Sequence, residues 1–441
     1  MSILLKKLEE KIPHWRNDVK SLISESGSSV IGEVTLKQAY GGMRGVKGLV
    51  CDTSSVSADT GLIIRGKPLL EIIDILPEEV FYLLLTADLP DKNALSELQS
   101  NLQEHAIVPD YIWTILKSMP DDSHPMAMFN TAVLAMEKES VFRSNYDEGI
   151  SKNDFWKPTL EDGIRLIAKL PTLGAGIYRM RFNKGNIIGP DQSLDWGANY
   201  AHMLGLDNSD DNLKKLMRLY LMLHCDHEGG NASAFTSLTI GSTLSDLYYA
   251  VSGGLNALAG PLHGLANQEC LKFVLEIKDQ FGGAPSKNEI EELCWNRLKS
   301  GRIIPGYGHA VLRCPDPRFT AFMNFGKEHI KNDDVFLIVE NLFEVVPKVL
   351  QKHGKAKNPW PNVDAASGAL LYHYGLTEFS YYTVLFSISR AMGIISQIVL
   401  NRALGIPIMR PKSVTTDSVS YTHLRAHEPR HDLVCRLLLE K

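Results

Sequence analysis

The segment Leu258-Ala-Gly-Pro-Leu-His-Gly-Leu-Ala-Asn-Gln-Glu269 places one ionisable ring, His263, between a Gly-Pro turn and a further glycine. Glycine permits left-handed backbone and lets a ligand approach the main chain, while proline fixes φ. A polar residue beside such a turn is a natural candidate for a functional site. A lone histidine near a turn is nevertheless more often a structural hydrogen-bonding residue, so the rest of the chain must decide.

Three more segments combine turn chemistry with ionisable side chains. Each places histidine, aspartate or arginine beside glycine or proline, and so beside accessible main-chain N–H groups. They are His224-Cys-Asp-His-Glu-Gly-Gly-Asn231, Pro305-Gly-Tyr-Gly-His-Ala-Val-Leu-Arg313 with the following Asp316-Pro-Arg318, and Asn358-Pro-Trp-Pro-Asn-Val-Asp-Ala-Ala-Ser-Gly368.

Structural and metal-binding roles compete with catalysis at these segments. His224, Asp226 and His227 are residue types that bind zinc, and such a centre would indicate a zinc hydrolase. No second Cys/His cluster with metal-ligand spacing accompanies them, and the two histidines can share one helix face. Asp364 alone fits the N-cap of a helix formed by the apolar run after it. The residues by themselves leave these alternatives open.

Helical periodicity dominates the sequence. Leu4, Leu8 and Ile12 form one stripe of an amphipathic helix. Pro77 followed by two glutamates is typical of a helix start. Period-2 alternation is rare, and its best examples are residues 32–35 and 63–65. We therefore predict a mostly α fold with a few short strands near residues 30–70.

Composition excludes several classes of protein. A length of 441 residues predicts two or three domains at roughly 100–200 residues each. With 46 basic and 51 acidic residues the net charge is −5, which disfavours nucleic acid as a partner. No apolar run reaches the roughly 18–20 residues that span a bilayer, so we predict no membrane partner. Six scattered cysteines and an N-terminus without an apolar secretory core indicate a soluble protein of a reducing compartment.

The segments together, in this order, resemble citrate synthase of the eukaryotic-like type that also occurs in some bacteria. The resemblance runs to about residue 417 and rests on several independent motifs. They are Tyr40-Gly-Gly-Met-Arg-Gly45, Cys225-Asp-His-Glu-Gly-Gly-Asn231, the 258–269 segment, Ser300-Gly-Arg-Ile-Ile-Pro-Gly-Tyr-Gly-His-Ala-Val-Leu-Arg313, Gly354-Lys-Ala-Lys-Asn-Pro-Trp-Pro-Asn-Val-Asp-Ala365 and Arg410-Pro-Lys-Ser413.

The resemblance implies an almost all-helical, two-domain homodimer. Residues 1–264 and 376–417 would form a discontinuous large domain, and residues 265–375 a small domain that closes over the substrates. The implied reaction condenses acetyl-CoA with oxaloacetate to give citrate and CoA. The CoA thioester is a substrate, and neither a metal nor another cofactor is implied.

The motifs also imply three catalytic roles. Asp364 would remove a proton from the acetyl methyl group. His263 would donate a hydrogen bond to the thioester oxygen, and His309 would polarise the oxaloacetate carbonyl. A thioester α-proton is only weakly acidic, so a carboxylate base needs a donor placed where negative charge develops. A neutral histidine supplies such a donor without a full charge.

Cationic groups would bind the two substrates. By motif, Arg318 and Arg390 would hold the oxaloacetate carboxylates, with Arg410 reaching from the other subunit. His227 would add a hydrogen bond to oxaloacetate. The remaining predicted contacts are to CoA: Arg44 and Arg313 for its phosphates, and the turn containing Gly306 and Gly308 for its adenine.

Some features depart from the family or leave choices open. Residues 61–66 lack a basic residue usual there, Ala366 replaces a polar residue, and residues 418–441 look foreign to the fold. The nearest alternative is 2-methylcitrate synthase, which uses propionyl-CoA. An inactive helical CoA-binding scaffold is disfavoured because His263, His309 and Asp364 are all present. We expect the bacterial cytoplasm as the location, with the mitochondrial matrix as the alternative.

Overall fold

The computed structural model describes residues 2–206, 211–308, 311–356 and 358–420. Contacts divide the chain into two compact units, Met1–Ile406 and Pro407–Lys441. In the second unit, residues 416–420 are helical. Most of the predicted foreign tail, residues 421–441, lies outside the described residues, so that prediction stays open.

The first unit is built almost entirely of α-helices, as predicted. Its helices are α1 (Ile3–Ser26), α2 (Leu36–Tyr40), α3 (Pro77–Thr86), α4 (Lys92–Glu104), α5 (Asp110–Lys117), α6 (Pro125–Ala135), α7 (Val141–Asp147), α8 (Trp156–Arg181), α9 (Trp196–Leu204), α10 (Asp211–Leu223), α11 (Ala232–Ser242), α12 (Leu247–Leu258), α13 (Ala266–Phe281), α14 (Lys287–Lys299), α15 (Pro317–His329), α16 (Asp334–His353), α17 (Asp364–His373) and α18 (Tyr382–Leu404). Short 3-10 turns occur at Leu69–Glu71, Met136–Glu139, Lys152–Asp154 and Phe379–Tyr381.

Local sequence signals place several of these helices. In α1 the Ser2 hydroxyl accepts the Leu5 N–H, and the predicted stripe of Leu4, Leu8 and Ile12 is buried. Helix α3 begins at Pro77, as predicted, because proline fits the first turn, where no intrahelical N–H bond is needed.

A small antiparallel sheet lies before α3, within the predicted interval. Its strands are β1 (Ser54–Ser57), β2 (Gly61–Ile64) and β3 (Lys67–Pro68), in that spatial order. The predicted strand at residues 63–65 overlaps β2. The one predicted at 32–35 is wrong, because Thr35 and Gln38 form a reciprocal capping box that starts α2 there.

Helix α18 forms the centre of the core. It packs against α3, α8, α10, α11 and α12. The segment Phe379–Leu404 is long and apolar enough to cross a membrane by length and composition, with a mean hydropathy of 1.6. This corrects the expectation that no run reaches that length. Within the protein 94% of the apolar stretch is buried, which is typical of a core helix.

The helices of the predicted small domain pack on one another. Helix α17 contacts α13, α15 and α16, and α14 contacts α16. Helix α15 also contacts α10. The boundaries of the predicted two-domain division, at residues 264, 375 and 417, stay predictions.

Candidate active site

Asp364 is the first residue of α17. Its backbone N–H donates to the Asn362 side-chain oxygen at 3.0 Å, which fixes the turn into the helix. The N-cap position belongs to Val363, and no side-chain capping bond is made there. The alternative role of Asp364 as N-cap is therefore wrong.

The environment of Asp364 raises the pKa of its carboxyl group. Burial raises its pKa to about 6, the nearby Arg318 charge opposes the rise, and Asp316 adds to it. A carboxylate with a pKa this close to neutrality is better matched to proton transfer than an ordinary aspartate.

His263 lies in the turn between α12 and α13. Its Nε2 accepts the backbone N–H of Ser233 at 3.2 Å and lies 3.0 Å from the Ser233 hydroxyl. Burial and then the Arg390 charge lower its pKa to about 4. The ring is therefore neutral at physiological pH. Because Nε2 accepts a hydrogen bond, the remaining proton is on Nδ1, which is a donor.

Arg318 forms a buried fork with Asp316. Its Nε and Nη2 donate to the two carboxylate oxygens at 3.0 and 2.7 Å. Burial alone would lower the pKa of Arg318, but the Asp316 charge outweighs it and the pKa is raised. The fork engages Nε and Nη2, which fixes the guanidinium plane and places Nη1 outside the pair.

Arg390 projects from α18 and is almost fully buried. Its Nε donates to the His224 carbonyl oxygen at 3.2 Å, and its guanidinium lies 4.8 Å from the centre of the Phe386 ring. Burial lowers its pKa to about 10, although the charge of Asp226 opposes this. Arg318 also lowers that pKa. The two arginines predicted to bind oxaloacetate therefore lie close enough for their positive charges to interact.

The turn that contains His227 is held from both sides. Asp226 accepts hydrogen bonds from Thr53, Ser54 and Gln397. His227 itself is half-buried, and it lies close enough to Asp316 for a charge on its ring to lower the pKa of that carboxyl. It thus lies near the Asp316–Arg318 fork, and its contact with oxaloacetate stays a prediction.

The zinc alternative has little geometric support. His224 Nδ1 is hydrogen-bonded to the Tyr220 carbonyl oxygen, and both oxygens of Asp226 are taken. Among residues 2–206, 211–308, 311–356 and 358–420, no group of three His, Cys, Asp or Glu residues could hold a metal ion.

The turn predicted to contact CoA is joined to the segment before Asp364. Tyr307 and Pro361 form an isolated β-bridge, and the Gly308 N–H donates to the Trp360 carbonyl at 2.9 Å. Gly306 has φ +80°, and a Cβ there would lie 2.7 Å from Cys270 Sγ. Glycine is therefore required at position 306 for both conformation and space.

The other predicted residues are less closely assembled. Arg313 and Arg44 are exposed, and Arg313 donates to the carbonyl oxygens of Val311 and Leu312. Arg410 is exposed and belongs to the second unit. His309 lies outside the described residues, so its predicted role stays a prediction.

Comparison with known proteins shows the family. The profile described as "Citrate synthase, C-terminal domain" matches residues 42–412. The chain belongs to the citrate synthase family.

Citrate synthases are also similar to this chain over nearly its whole length. Mitochondrial citrate synthase 4 of Arabidopsis thaliana and mitochondrial citrate synthase of Saccharomyces cerevisiae are each 46% identical, over 94% of this chain and 89% and 88% of their own lengths. Mitochondrial 2-methylcitrate synthase of Yarrowia lipolytica is 47% identical over 94% of this chain and 91% of its own.

Solved citrate synthases share the fold. The Pyrobaculum aerophilum enzyme has a TM-score of 0.77 and 27% identity, covering 88% of this chain and 95% of that one. The Thermotoga maritima enzyme has a TM-score of 0.71 and 26% identity, covering 87% and 96%. The comparisons confirm the predicted family, the helical fold class, and citrate synthase, an acyltransferase, as the function.

Sequence reasoning missed the roles of two residues that organise the candidate site of this citrate synthase. Ser233 fixes the tautomer of His263, and Asp316 orients Arg318. Asp316 could have been found, because it stands two residues before the arginine it binds. Ser233 could not, because it is 30 residues from His263 and no local pattern joins them.

Proposed function

We propose that this chain condenses acetyl-CoA with oxaloacetate and water to give citrate and CoA. The observation that carries the proposal is the hydrogen bond from the Ser233 N–H to His263 Nε2. It makes His263 a neutral donor through Nδ1, which is the group that an enol intermediate requires beside a carboxylate base.

Asp364 acts as the base in this proposal. It takes a proton from the methyl group of the thioester while His263 Nδ1–H donates a hydrogen bond to the thioester oxygen. The negative charge that develops on this oxygen is thereby stabilised, and no free enolate forms; the enol-like species stays hydrogen-bonded to Nδ1. The raised pKa of Asp364, about 6, makes the carboxylate a stronger base, which reduces the difference between its pKa and the much higher pKa of the methyl group. The enol carbon then attacks the carbonyl carbon of oxaloacetate, which His309 polarises, and the citryl thioester is hydrolysed by water.

Oxaloacetate is held as a dianion by fixed positive charges. Arg318 and Arg390 are buried and oriented before substrate arrives, so little conformational freedom is lost on binding. His227 adds a hydrogen bond, and Arg410 contributes from the partner subunit of a homodimer. A site completed by both subunits makes dimerisation necessary for activity.

CoA lies along the joined turns at residues 305–308 and 358–362. Gly306 and Gly308 let its adenine approach the backbone, and Arg313 and Arg44 face its phosphates. The reaction needs no resident cofactor or metal, because the residues named supply the acid–base and electrostatic steps.

The acyl group distinguishes this proposal from its nearest alternative. A 2-methylcitrate synthase is as similar to the chain as the citrate synthases are, so propionyl-CoA is the second candidate substrate. The test measures release of the CoA thiol with oxaloacetate and either thioester. We expect a higher kcat/KM with acetyl-CoA. A preference for propionyl-CoA would overturn the proposal that acetyl-CoA is the substrate. If neither thioester released thiol, the proposed enzymatic activity would be overturned in favour of a CoA-binding scaffold.

The cellular location is a separate proposal. Several relatives are named as mitochondrial, which favours the mitochondrial matrix over the bacterial cytoplasm expected from the sequence. Fractionation of the source cells tests it: activity that follows a matrix marker supports the matrix, and activity in a bacterial cytosol contradicts it.

A further inference from the structure

The structure contains a buried carboxylate that the proposed reaction does not use. Asp226 is completely buried and immediately precedes His227. Its Oδ2 accepts hydrogen bonds from the Thr53 and Ser54 hydroxyls at 2.5 and 2.8 Å, and its Oδ1 accepts from Gln397 Nε2 at 2.7 Å. A buried carboxylate is costly unless its oxygens are satisfied, so such complete bonding needs an explanation.

The three donors come from two distant elements of the fold. Ser54 is the first residue of β1, Thr53 immediately precedes it, and Gln397 lies on α18. Asp226 therefore ties the sheet to the central helix through the turn that carries His227. The neighbouring Glu228 strengthens the connection to β1, because its carboxylate accepts the Val56 N–H at 2.8 Å and its own N–H donates to the Ser54 hydroxyl.

The helix side of this connection also carries Arg390. Arg390, Gly393 and Gln397 are spaced i, i+3, i+7, so they share one face of α18. At Gly393 the backbone approaches so closely that a Cβ would lie 2.5 Å from Asp226 Oδ1. The Gly393 N–H also donates to the Cys225 carbonyl at 3.1 Å. Two consecutive residues of the turn, Cys225 and Asp226, therefore hold it against the face of α18 that carries Arg390.

We propose that Asp226 is a positioning residue that fixes the distance between His227 and Arg390, and thereby sets the affinity for oxaloacetate. Asp226 does not contact the substrate itself; it acts through the turn and the helix face that it joins. The inference rests on the proposed function, because it takes oxaloacetate to be the ligand of Arg390. Asp226 makes no hydrogen bond to α17 or to the turn of His263, the parts of the described chain that hold the groups that move the proton.

The asparagine substitution offers a test that separates geometry from charge. In the described part of the chain, Gln397 Oε1 is buried without a hydrogen-bond partner. After Asp226→Asn, rotation of the Gln397 amide would present this oxygen to the new NH₂ group, at the expense of the 3.4 Å hydrogen bond from Nε2 to the Glu228 carbonyl. The single side-chain oxygen of the asparagine would still accept from Thr53 and Ser54. The asparagine can therefore keep all three connections, whereas alanine loses them.

The experiment measures kcat and both KM values for the full-length wild type, Asp226→Ala and Asp226→Asn. We expect Asp226→Ala to raise the KM for oxaloacetate by roughly tenfold or more, with kcat and the KM for acetyl-CoA within about threefold of the wild type. Asp226→Asn should stay within about threefold in all three parameters. An unchanged KM in Asp226→Ala, equal rises for both substrates, or equal losses in both variants would overturn the proposal.

A matched control uses a second buried carboxylate. Asp162 is also fully buried and accepts hydrogen bonds from the Ser140 hydroxyl and from the Val141 and Phe142 N–H groups, but these lie at the start of α7, away from the candidate site. Asp162→Asn should lower the melting temperature without changing either KM.

If Asp226→Ala does not fold, Thr53→Val and Gln397→Leu each remove one donor. Each should raise the KM for oxaloacetate by about threefold or more, and unchanged values in both would overturn the proposal. Failure of the proposed function is distinguishable, because the wild type itself would then release no thiol.

Discussion

His263 accepts the backbone N–H of Ser233 at its Nε2, over a distance of 3.2 Å. Ser233 lies in the first turn of α11, where N–H groups have no partner within the helix. Burial keeps the ring neutral, and the helix-start N–H fixes its tautomer, with the remaining proton on Nδ1. In the proposed reaction this ring is the hydrogen-bond donor, and Asp364, at the start of α17, is the base.

The pH dependence of catalysis should report Asp364. The base must be ionised, and its pKa is raised to about 6, so kcat/KM for acetyl-CoA should fall about tenfold for each pH unit below that value. His263 has a pKa of about 4 and stays neutral over that range. Initial rates from about pH 5 to about pH 9, at saturating oxaloacetate, give the profile. A flat profile down to about pH 5 would contradict the assignment.

Arg318→Lys should weaken oxaloacetate binding. Lysine presents a single point charge, so it cannot hold Asp316 through two bonds and also keep a second nitrogen in a fixed plane for the substrate. We expect the KM for oxaloacetate to rise by roughly 10–100-fold.

Arg218→Lys is the matched control for that variant. Arg218 makes the same kind of fork with Asp195, from Nε to Oδ1 at 3.1 Å and from Nη2 to Oδ2 at 2.6 Å, between α10 and the start of α9. Loss of this fork in Arg218→Lys should leave the KM for oxaloacetate unchanged. Equal KM values in both variants would show that Arg318 does not hold the substrate.

Gly306→Ala should impair CoA binding. The residue has φ +80°, and the added Cβ would lie 2.7 Å from Cys270 Sγ and 3.0 Å from the Ala365 Cα. The turn must therefore move, and we expect the KM for acetyl-CoA to rise about tenfold.

Gly282→Ala separates this effect from backbone strain alone. Gly282 has φ +71° at the end of α13, and within the described residues no heavy atom beyond its own local backbone and chain neighbours lies within 4 Å of the place that an added Cβ would occupy. That variant should lose about 1–2 kcal/mol of stability and keep its KM values. Equal KM values in the two alanine variants would contradict the role of the turn at residue 306.

Glu78→Gln should stabilise the protein at alkaline pH. Burial raises the pKa of Glu78 from 4.5 to about 7, so the folded state keeps a proton that the unfolded chain has lost. Stability therefore falls as pH rises from 4.5 to about 7, and the loss is complete above that. Glutamine, which is always neutral, should gain about 1–3 kcal/mol at about pH 8 and almost nothing near pH 4.5. Urea unfolding at the two pH values measures this, and a less stable variant at the higher pH would contradict it.

Local patterns predicted the fold better than they predicted the site. The stripe of Leu4, Leu8 and Ile12 and the helix start at Pro77 follow from spacing and backbone chemistry, and both are confirmed. The prediction of a strand at residues 32–35 was wrong, because the reciprocal hydrogen bonds of Thr35 and Gln38 favour a helix start over a strand. The capping bonds join side chains to the backbone, and a period-2 pattern of apolar and polar residues carries no information about them.

The partners of the site residues depend on long-range packing. The motifs predicted functional roles for Arg390 and His263, but their hydrogen bonds to His224 and Ser233 cross 166 and 30 residues of sequence. The tautomer of His263 and the support of His227 by Asp226 arise only when helices from distant parts of the chain meet. Spacing could not have shown either.

The most direct test of the central claim compares the products and rates of the wild type and Asp364→Asn. With acetyl-CoA and oxaloacetate, the wild type should form citrate and free CoA in equal amounts. Asp364→Asn should lower kcat by about 10²–10⁴-fold while oxaloacetate affinity, measured by calorimetry, stays within about threefold. A variant with a near-normal rate, or a wild type that forms no citrate, would contradict the account.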